Sequence, residues 1–321
     1  MSVGWGFLGA GWIATRAMAP AVHAASGAHL QAVASRSPER SSALDPRVVR
    51  ADYDALLEDP DVDVVYVCLA NDQHAEWVVQ ALDAGKHVVC EKPLGRDSAE
   101  ARRMAAAAQR VDRLLIEAVW TRWHPRFRRL AELATSGALG DISSIDSAFT
   151  FPGAIDDNYR ADPSKGGGAL LDVGGYQAHA WVALSDGSGL LSIESATSSI
   201  GPTGVDLTTG MTALIDGTIH ATALCSFEQN EAQRLTVQGS IDTATMGAGQ
   251  AFTSWREEST LLVGSTVEAF APVDAYQVMI EQVSARIRGE DSWVVPIDET
   301  ITVAEILDEV RARARWQPEH R

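Results

Sequence analysis

The chain of 321 residues is poor in cysteine, with only Cys68, Cys90 and Cys225. They are odd in number, far apart and set in apolar stretches, which excludes a disulfide framework and offers no zinc-ligand spacing. A reducing, cytoplasmic setting is expected, with no metal. Lysine is equally scarce: Lys86, Lys92 and Lys165 are three of the 26 basic residues. Against 43 acidic residues these leave a net charge of −17. Such a chain repels a phosphate backbone, so nucleic acid is not an expected partner. The one dense basic run, Arg122, Arg126, Arg128 and Arg129, has helical spacing and reads as a solvated helix face. No apolar run approaches the ~20 residues that span a bilayer, and no basic segment leads into an apolar one at the N-terminus. No membrane partner is expected. With 46% hydrophobic and 21% charged residues, 26 glycines and 12 prolines, disordered and collagen-like classes are excluded.

What is present reads as two domains, at about 150 residues each. Residues 1–120 carry 12 basic and 16 acidic side chains, net −4, which leaves −13 for the other 201. The first part is the better host for an anionic cofactor. In it, short apolar runs at Trp5–Leu8, Leu30–Ala34, Val62–Leu69, His87–Cys90 and Leu114–Ala118 alternate with helical patterns. Continuous apolar strands alternating with helices predict a doubly wound parallel sheet covered on both faces, a Rossmann domain over 1–120. After about residue 140 the segments lengthen and become rich in Thr and Ser, as in Ile142–Phe151, Ile219–Phe227 and Arg234–Gln238, with turns such as Asp216-Gly217. This pattern predicts an α/β domain over 121–321 built on a large open, mainly antiparallel sheet. Helical stripes at 276–287 and 303–310 close the chain, the final helix being expected to pack back on the Rossmann domain.

The first strand runs into Gly9-Ala10-Gly11-Trp12-Ile13-Ala14 at the start of a helix. This is a dinucleotide fingerprint with Ala as its third small residue: Gly9 permits the turn, Gly11 lets backbone approach a pyrophosphate, and the helix N-terminus presents free N–H groups. The second strand ends in Ser35-Arg36, where an NAD-binding chain would carry a carboxylate. A hydroxyl and a guanidinium suit a 2′-phosphate, so NADP is favoured over NAD. Asn71 and His74 follow the third strand, where a cofactor ribose would lie. Glu91-Lys92-Pro93 ends the fourth, and a lysine at a strand's carboxyl end is unusual in a chain with only two others. Further on, Gly166-Gly167-Gly168 leads into a helix on which Asp172, Tyr176 and His179 are spaced by four and three, predicting one shared face.

These motifs, in this order, resemble the glucose-fructose oxidoreductase and inositol dehydrogenase family (Gfo/Idh/MocA) over nearly the whole chain. Within it, Glu117-Ala118-Val119-Trp120-Thr121-Arg122 and the tyrosine at 176 look most like the dihydrodiol dehydrogenases and the NADP-dependent aldose dehydrogenases such as those of D-xylose. The resemblance implies hydride transfer between NADP and a hydroxyl or carbonyl carbon of a sugar, polyol or vicinal diol. In that scheme Lys92 favours the phenolate and hydrogen-bonds the reacting oxygen, Tyr176 exchanges the proton, and Asp172 orients Lys92. Trp120 and His179 shape the substrate pocket and Arg160 binds substrate hydroxyls. Gly9, Gly11, Trp12, Ile13, Ser35, Arg36, Asn71, His74, Glu91 and Lys92 hold the cofactor. An open sheet leaves one apolar face without a covering helix, so self-association through it is expected at alternating residues of Ile219–Phe227 and Leu235–Val237, and the resemblance implies a homodimer or homotetramer. A non-catalytic dinucleotide-bound sensor or corepressor is the rival from another class. A reductase of dicarbonyls or anhydroketoses is the rival among enzymes.

Overall fold

The structure, a computed structural model, describes residues 2–153, 158–185, 191–247 and 250–318. The chain divides into two compact units, one made of Met1–Gly95, Ala99–Trp123 and Asp274–Thr300, the other of Arg96–Ser98, His124–Val273 and Ile301–Arg321. The first unit thus extends slightly past residue 120 and takes back a later segment.

The first unit is built on six strands: β1 Val3–Leu8, β2 Ala28–Ala34, β3 Val48–Val49, β4 Val64–Val67, β5 His87–Cys90 and β6 Leu115–Glu117. All pairings are parallel, in the order β3-β2-β1-β4-β5-β6. β1 and β4 are buried at every residue, as their unbroken apolar runs predict. Strand order reverses between β1 and β4, and the crevice outside the carboxyl ends at such a point is where ligands of open α/β sheets bind. β3, only two residues long, left no apolar signature.

Lys86 is a structural staple of this unit. Gly85 ends the helix Asn71–Asp83 with φ +79°, and the Lys86 Nζ donates to the carbonyls of Asp59 (2.7 Å) and Val62 (2.8 Å). The helix Ala275–Ile287, expected in the second domain, packs here: the Trp5 indole N–H donates to the Ser284 hydroxyl at 3.1 Å. The run of arginines is not a solvated face. Arg122 is buried, pairs with Glu299 at 2.6 Å and lies 5.8 Å from the Trp293 ring. Arg126, in the second unit, is 2% exposed and donates to the Gln250 carbonyl at 3.0 Å; burial pushes its pKa down to about 10. Arg129 grips Glu268 through two nitrogens, leaving Arg128 exposed. Four arginines at helical spacing gave no hint that two would need to be buried.

The second unit has nine strands: β7 Ile142–Thr150, β8 Leu191–Ile200, β9 Asp206–Ile215, β10 Ile219–Ser226, β11 Ala232–Gly239, β12 Thr243–Met246, β13 Ser259–Val263, β14 Thr266–Phe270 and β15 Arg315–Pro318. Their order is β14-β13-β12-β11-β7-β10-β9-β8-β15, antiparallel except for β7 with β10 and β8 with β15. One face carries Ile145, Ala221, Ala223, Cys225, Leu235 and Val237, all buried. Against it lies the helix Gly175–Leu184, whose Gln177 amide donates to the Ser147 hydroxyl and the Leu224 carbonyl.

The other face is not the apolar surface expected of it. Pairing aligns Thr245, Thr236, Asp146, Thr222, Thr212 and Ser195 in one row across six strands. The row is stitched by side-chain hydrogen bonds, Thr222 to Asp146 at 2.5 Å and Ser195 to Thr212 at 2.9 Å among them, and Arg234 donates to Asp146. Leu235 and Val237 point inward instead, because side chains alternate along a strand and the apolar set goes to the helix side. Among the described residues no helix is long and apolar enough to cross a membrane.

Candidate active site

The carboxyl edge of the first sheet begins with Gly9, at φ +103°, where a Cβ would lie 2.7 Å from the Cys68 carbonyl oxygen. Packing and backbone both demand glycine there. Gly11 differs, since a Cβ would meet nothing nearer than that same oxygen at 4.0 Å. Protein packing therefore does not explain this glycine, whereas a ligand lying on the backbone does, and the turn fits the pyrophosphate of a dinucleotide. Ile13 is half-buried, Trp12 is 67% exposed, and the following turn, Ala14–Met18, is wound as a π-helix before Ala19–Ala24 becomes regular.

At the end of β2 the two expected phosphate ligands differ in availability. The Ser35 hydroxyl donates to the Ser37 carbonyl at 2.8 Å, accepts the Ser37 N–H, and sits 2.8 Å from the Ser41 hydroxyl, so it shapes its own turn. Arg36 is exposed and takes part in none of the ion pairs among the described residues. Asn71, buried, opens the helix after β4. His74 is buried too, with Nδ1 2.9 Å from the Pro93 carbonyl and Nε2 3.2 Å from that of Leu69. Burial pushes its pKa below the ordinary histidine value, and a neutral ring has one N–H to donate. That N–H can bond only one of the two carbonyls, and the shorter contact, to Pro93, ties the helix to the turn after β5.

The turn Glu91-Lys92-Pro93-Leu94 has buried partners on all sides, and its Lys92–Pro93 bond is cis. The Tyr66 hydroxyl, at the centre of β4, donates to Glu91 Oε1 at 2.5 Å; Glu91 Oε2 accepts the Lys92 N–H at 3.3 Å. Glu117, at the end of β6, accepts the Leu94 N–H at 2.9 Å. Burial raises the Glu91 pKa, and the Tyr66 hydrogen bond and the Lys92 charge pull it back. Burial also drives the Tyr66 phenol well above its usual value and the Cys68 thiol to about 12. Tyr66 did not stand out in the sequence and Glu117 entered only as part of the Glu117–Arg122 run, because each lies within an apolar strand and only pairing reveals what its polar end meets. Trp120, expected at a substrate pocket, is buried with its ring 6.4 Å from that of Tyr276.

In the second unit the Asp206 carboxylate accepts the Leu170 N–H at 2.8 Å and the Thr209 hydroxyl, fixing the start of the glycine-led helix. That helix begins as a π-turn, Leu170–Gly174, and is regular only from Gly175 to Leu184. Asp172 lies in the π-turn, so the α-helical spacing that predicted one face with Tyr176 and His179 does not run through it. All three are buried, and from Gly175 to Val182 the helix has no hydrated face at all. Asp172 Oδ2 binds the Arg160 Nε at 2.7 Å. Burial works against the Arg160 charge, but the Asp172 carboxylate outweighs it and raises the pKa above the ordinary arginine value, with Tyr159 and Tyr176 adding in the same sense. The Tyr176 ring adjoins Phe149 (5.8 Å) and Phe252 (6.2 Å), which stack on each other at 5.3 Å. These phenylalanines were not singled out by sequence, where they read as ordinary core. Among the described residues no group of three or more His, Cys, Asp or Glu side chains is gathered so as to hold a metal ion.

Comparison with known proteins agrees with this layout. A family model described as oxidoreductase family, NAD-binding Rossmann fold (GFO_IDH_MocA) matches residues 3–119, and the GFO/IDH/MocA C-terminal domain model matches 127–245. The chain is 30% identical to trans-1,2-dihydrobenzene-1,2-diol dehydrogenase of Mus musculus, over 97% of this chain and 96% of that one. It is 32% identical to D-xylose 1-dehydrogenase (NADP(+)) 2 of Haloferax volcanii, over 95% of each. A crystal structure of a 3-ketoreductase from Actinomadura kijaniata, in complex with NADP and TDP-benzene, superposes with a TM-score of 0.89 at 28% identity, covering 99% of this chain and 100% of that one.

The contrast between the two glycines gives a test. Gly11→Ala is expected to leave the melting temperature within a degree or two of wild type while weakening dinucleotide binding at least tenfold, read by quenching of intrinsic fluorescence. Gly9→Ala is expected to lower the melting temperature itself, because a side chain at φ +103° would meet the Cys68 carbonyl. Unchanged affinity in Gly11→Ala would mean that nothing lies on this turn.

Proposed function

The chain belongs to the GFO/IDH/MocA oxidoreductase family, and from that premise we propose that it transfers hydride between NADP and a hydroxyl or carbonyl carbon of a sugar, polyol or vicinal diol. The observation that carries this reading is the open turn at Gly11, on the same sheet edge that holds Lys92 in a turn whose Lys92 and Leu94 N–H groups are bound by Glu91 and Glu117. The other lysines are engaged elsewhere, Lys86 with two carbonyls and Lys165 with Asp162 at 2.9 Å. The relatives named above act, by their names, on a diol, an aldose and a ketone, which supports an enzyme over a sensor.

Bound on the fingerprint turn, NADP would supply or accept the hydride. Gly9, Gly11, Trp12 and Ile13 would lie along its pyrophosphate, Asn71 and the Glu91 backbone beside it, and Arg36 against the 2′-phosphate, with Ser35 shaping the Arg36 turn and His74 tying the edge together. The Lys92 ammonium would donate to the reacting oxygen and stabilise charge there. Tyr176 would give or take the hydroxyl proton. A free phenol has a pKa near 10 and is a weak base alone, so nearby cations matter. Arg160 is one such cation and is held by Asp172, which would orient Lys92 as well. His179 and Trp120 would bound the substrate. The same groups serve oxidation and reduction alike. We assign self-association to the hydroxyl row of the second sheet, whose in-register Thr and Ser side chains and exposed Asp146–Arg234 pair can meet a second copy of themselves. The three cysteines are free, in keeping with a reducing cytoplasm.

Three measurements test this. Wild type is expected to use NADP more efficiently than NAD, and Arg36→Asp to reverse the preference; equal or better use of NAD by wild type would refute the cofactor assignment. After a screen of aldoses, polyols and vicinal diols, Tyr176→Phe and Lys92→Met are each expected to lower kcat by roughly a hundredfold, the scale of general acid–base catalysis, and His179→Asn to act mainly on KM. Near-normal kcat in Tyr176→Phe with a collapse in His179→Asn would make the histidine the proton-transfer group. Light scattering at micromolar concentration is expected to give a multiple of 34.3 kDa, reduced to the monomer in Thr222→Arg.

A further inference from the structure

We propose that Tyr66 is a positioning residue for the reaction, acting through Glu91 to keep a negative charge beneath Lys92. The proposal rests on the reading of Lys92 as the group that holds the reacting oxygen.

The observations come from three parallel strands. Tyr66 is fully buried in β4, its ring packed edge-on to Phe7 at 4.9 Å, so the phenol has no freedom to look elsewhere. Its hydroxyl donates to Glu91 at 2.5 Å, and Tyr66 and Val89 are register partners, which sets that oxygen near the end of β5. A carboxylate in a dry site holds its charge only when hydrogen bonds and a cation compensate for lost water. For Glu91 the donor is Tyr66 and the cation is Lys92, and each favours the ionised form. Remove the donor and the carboxylate is left to burial, the largest influence on it, and takes up a proton at a higher pH. Lys92 then loses the anion that holds its ammonium charged and in place.

The groups facing Glu91 are few. Lys92 adjoins it in sequence, Glu117 faces it from β6, Cys90 precedes it in β5, Cys68 follows β4, His74 reaches the same turn from the helix Asn71–Asp83, and Tyr276 faces Tyr66 from the helix Ala275–Ile287. Burial places the thiols and Tyr66 above the range of an ordinary assay and His74 below its usual value. A new ionisation near neutral pH that Tyr66→Phe shows and Glu91→Gln lacks therefore reports Glu91 and not Glu117.

The experiment is the pH profile of kcat from pH 5.5 to 9.5, with the best substrate and NADP, for wild type, Tyr66→Phe, Glu91→Gln and Lys92→Met. Folding is followed by circular dichroism and by fluorescence titration with NADPH. Tyr66→Phe is expected to lose several-fold in kcat at the acid end of this range and to recover toward wild type by pH 9, its acid limb displaced upward. The sign follows because activity needs Glu91 ionised and is lost as pH falls through its raised pKa. Glu91→Gln, which keeps the shape without the charge, is expected to lose activity at every pH with no such recovery, and it serves alone if Tyr66→Phe does not fold. A wild-type profile in Tyr66→Phe, or wild-type kcat in Glu91→Gln, overturns the proposal even where the melting temperature has fallen. Lys92→Met separates this from the reading beneath it. If that variant is inactive while Tyr66→Phe is normal, only the positioning role fails; if Lys92→Met turns over like wild type, both fall.

Discussion

A parallel sheet that ends at a ligand crevice must satisfy the backbone of its own carboxyl edge without filling the space the ligand needs. In the first unit that constraint governs almost every polar side chain near the site. The turn after β5 passes through a dry region, and its N–H and carbonyl groups find partners on neighbouring elements: Glu91 and Glu117 accept the Lys92 and Leu94 N–H groups, and His74 reaches the Pro93 carbonyl. Unpaired buried backbone groups would cost about 1–3 kcal/mol each. The partners are carboxylates and an imidazole rather than water, so the edge is rigid and its electrostatics are fixed by covalent chemistry. Gly9 and Gly11 are the complement of this arrangement, one glycine required by the Cys68 carbonyl and the other leaving room above it.

The second unit meets a related constraint differently. Its helix Gly175–Leu184 is buried on every side from Gly175 to Val182, and the sheet matches part of its polar set: the Gln177 amide donates to Ser147 and Leu224, while Gln177 Oε1 and the Trp181 indole N–H find no partner among the described residues. The π-turn ahead of it holds Asp172, whose carboxylate is matched by Arg160. π-turns inside helices recur at functional sites because the extra residue redirects side chains that a regular helix would aim elsewhere. The aromatic neighbours Phe149 and Phe252 then limit the room around the Tyr176 phenol.

Much of this was legible in the sequence where periodicity or a rare residue carried the signal. The apolar runs gave five of the six parallel strands, the fingerprint marked the end of β1, and scarcity drew attention to Lys92. What stayed hidden depended on register. Tyr66 and Glu117 look like interruptions of apolar strands until pairing brings both to one turn. Asp172, Tyr176 and His179 share one face only at a constant 3.6 residues per turn, which the π-turn breaks. The Thr and Ser alternation of the second sheet was visible, but which set faced the helix was not, and the apolar set went inward. Arg122 and Arg126 read as solvated charges in the sequence because a guanidinium satisfied by a distant carboxylate or carbonyl has no local mark there.

The scarcity of lysine has one more consequence, for covalent labelling. Most proteins present amine-directed reagents with a surface crowded by competing ammonium groups, so modification reports on exposure alone. Here Lys86 is locked by two carbonyls and Lys165 sits in a local pair with Asp162. The third side-chain amine is Lys92, so acylation leaves only three lysine signals to resolve, and protection of the Lys92 amine by added dinucleotide becomes readable by mass spectrometry without a substituted variant.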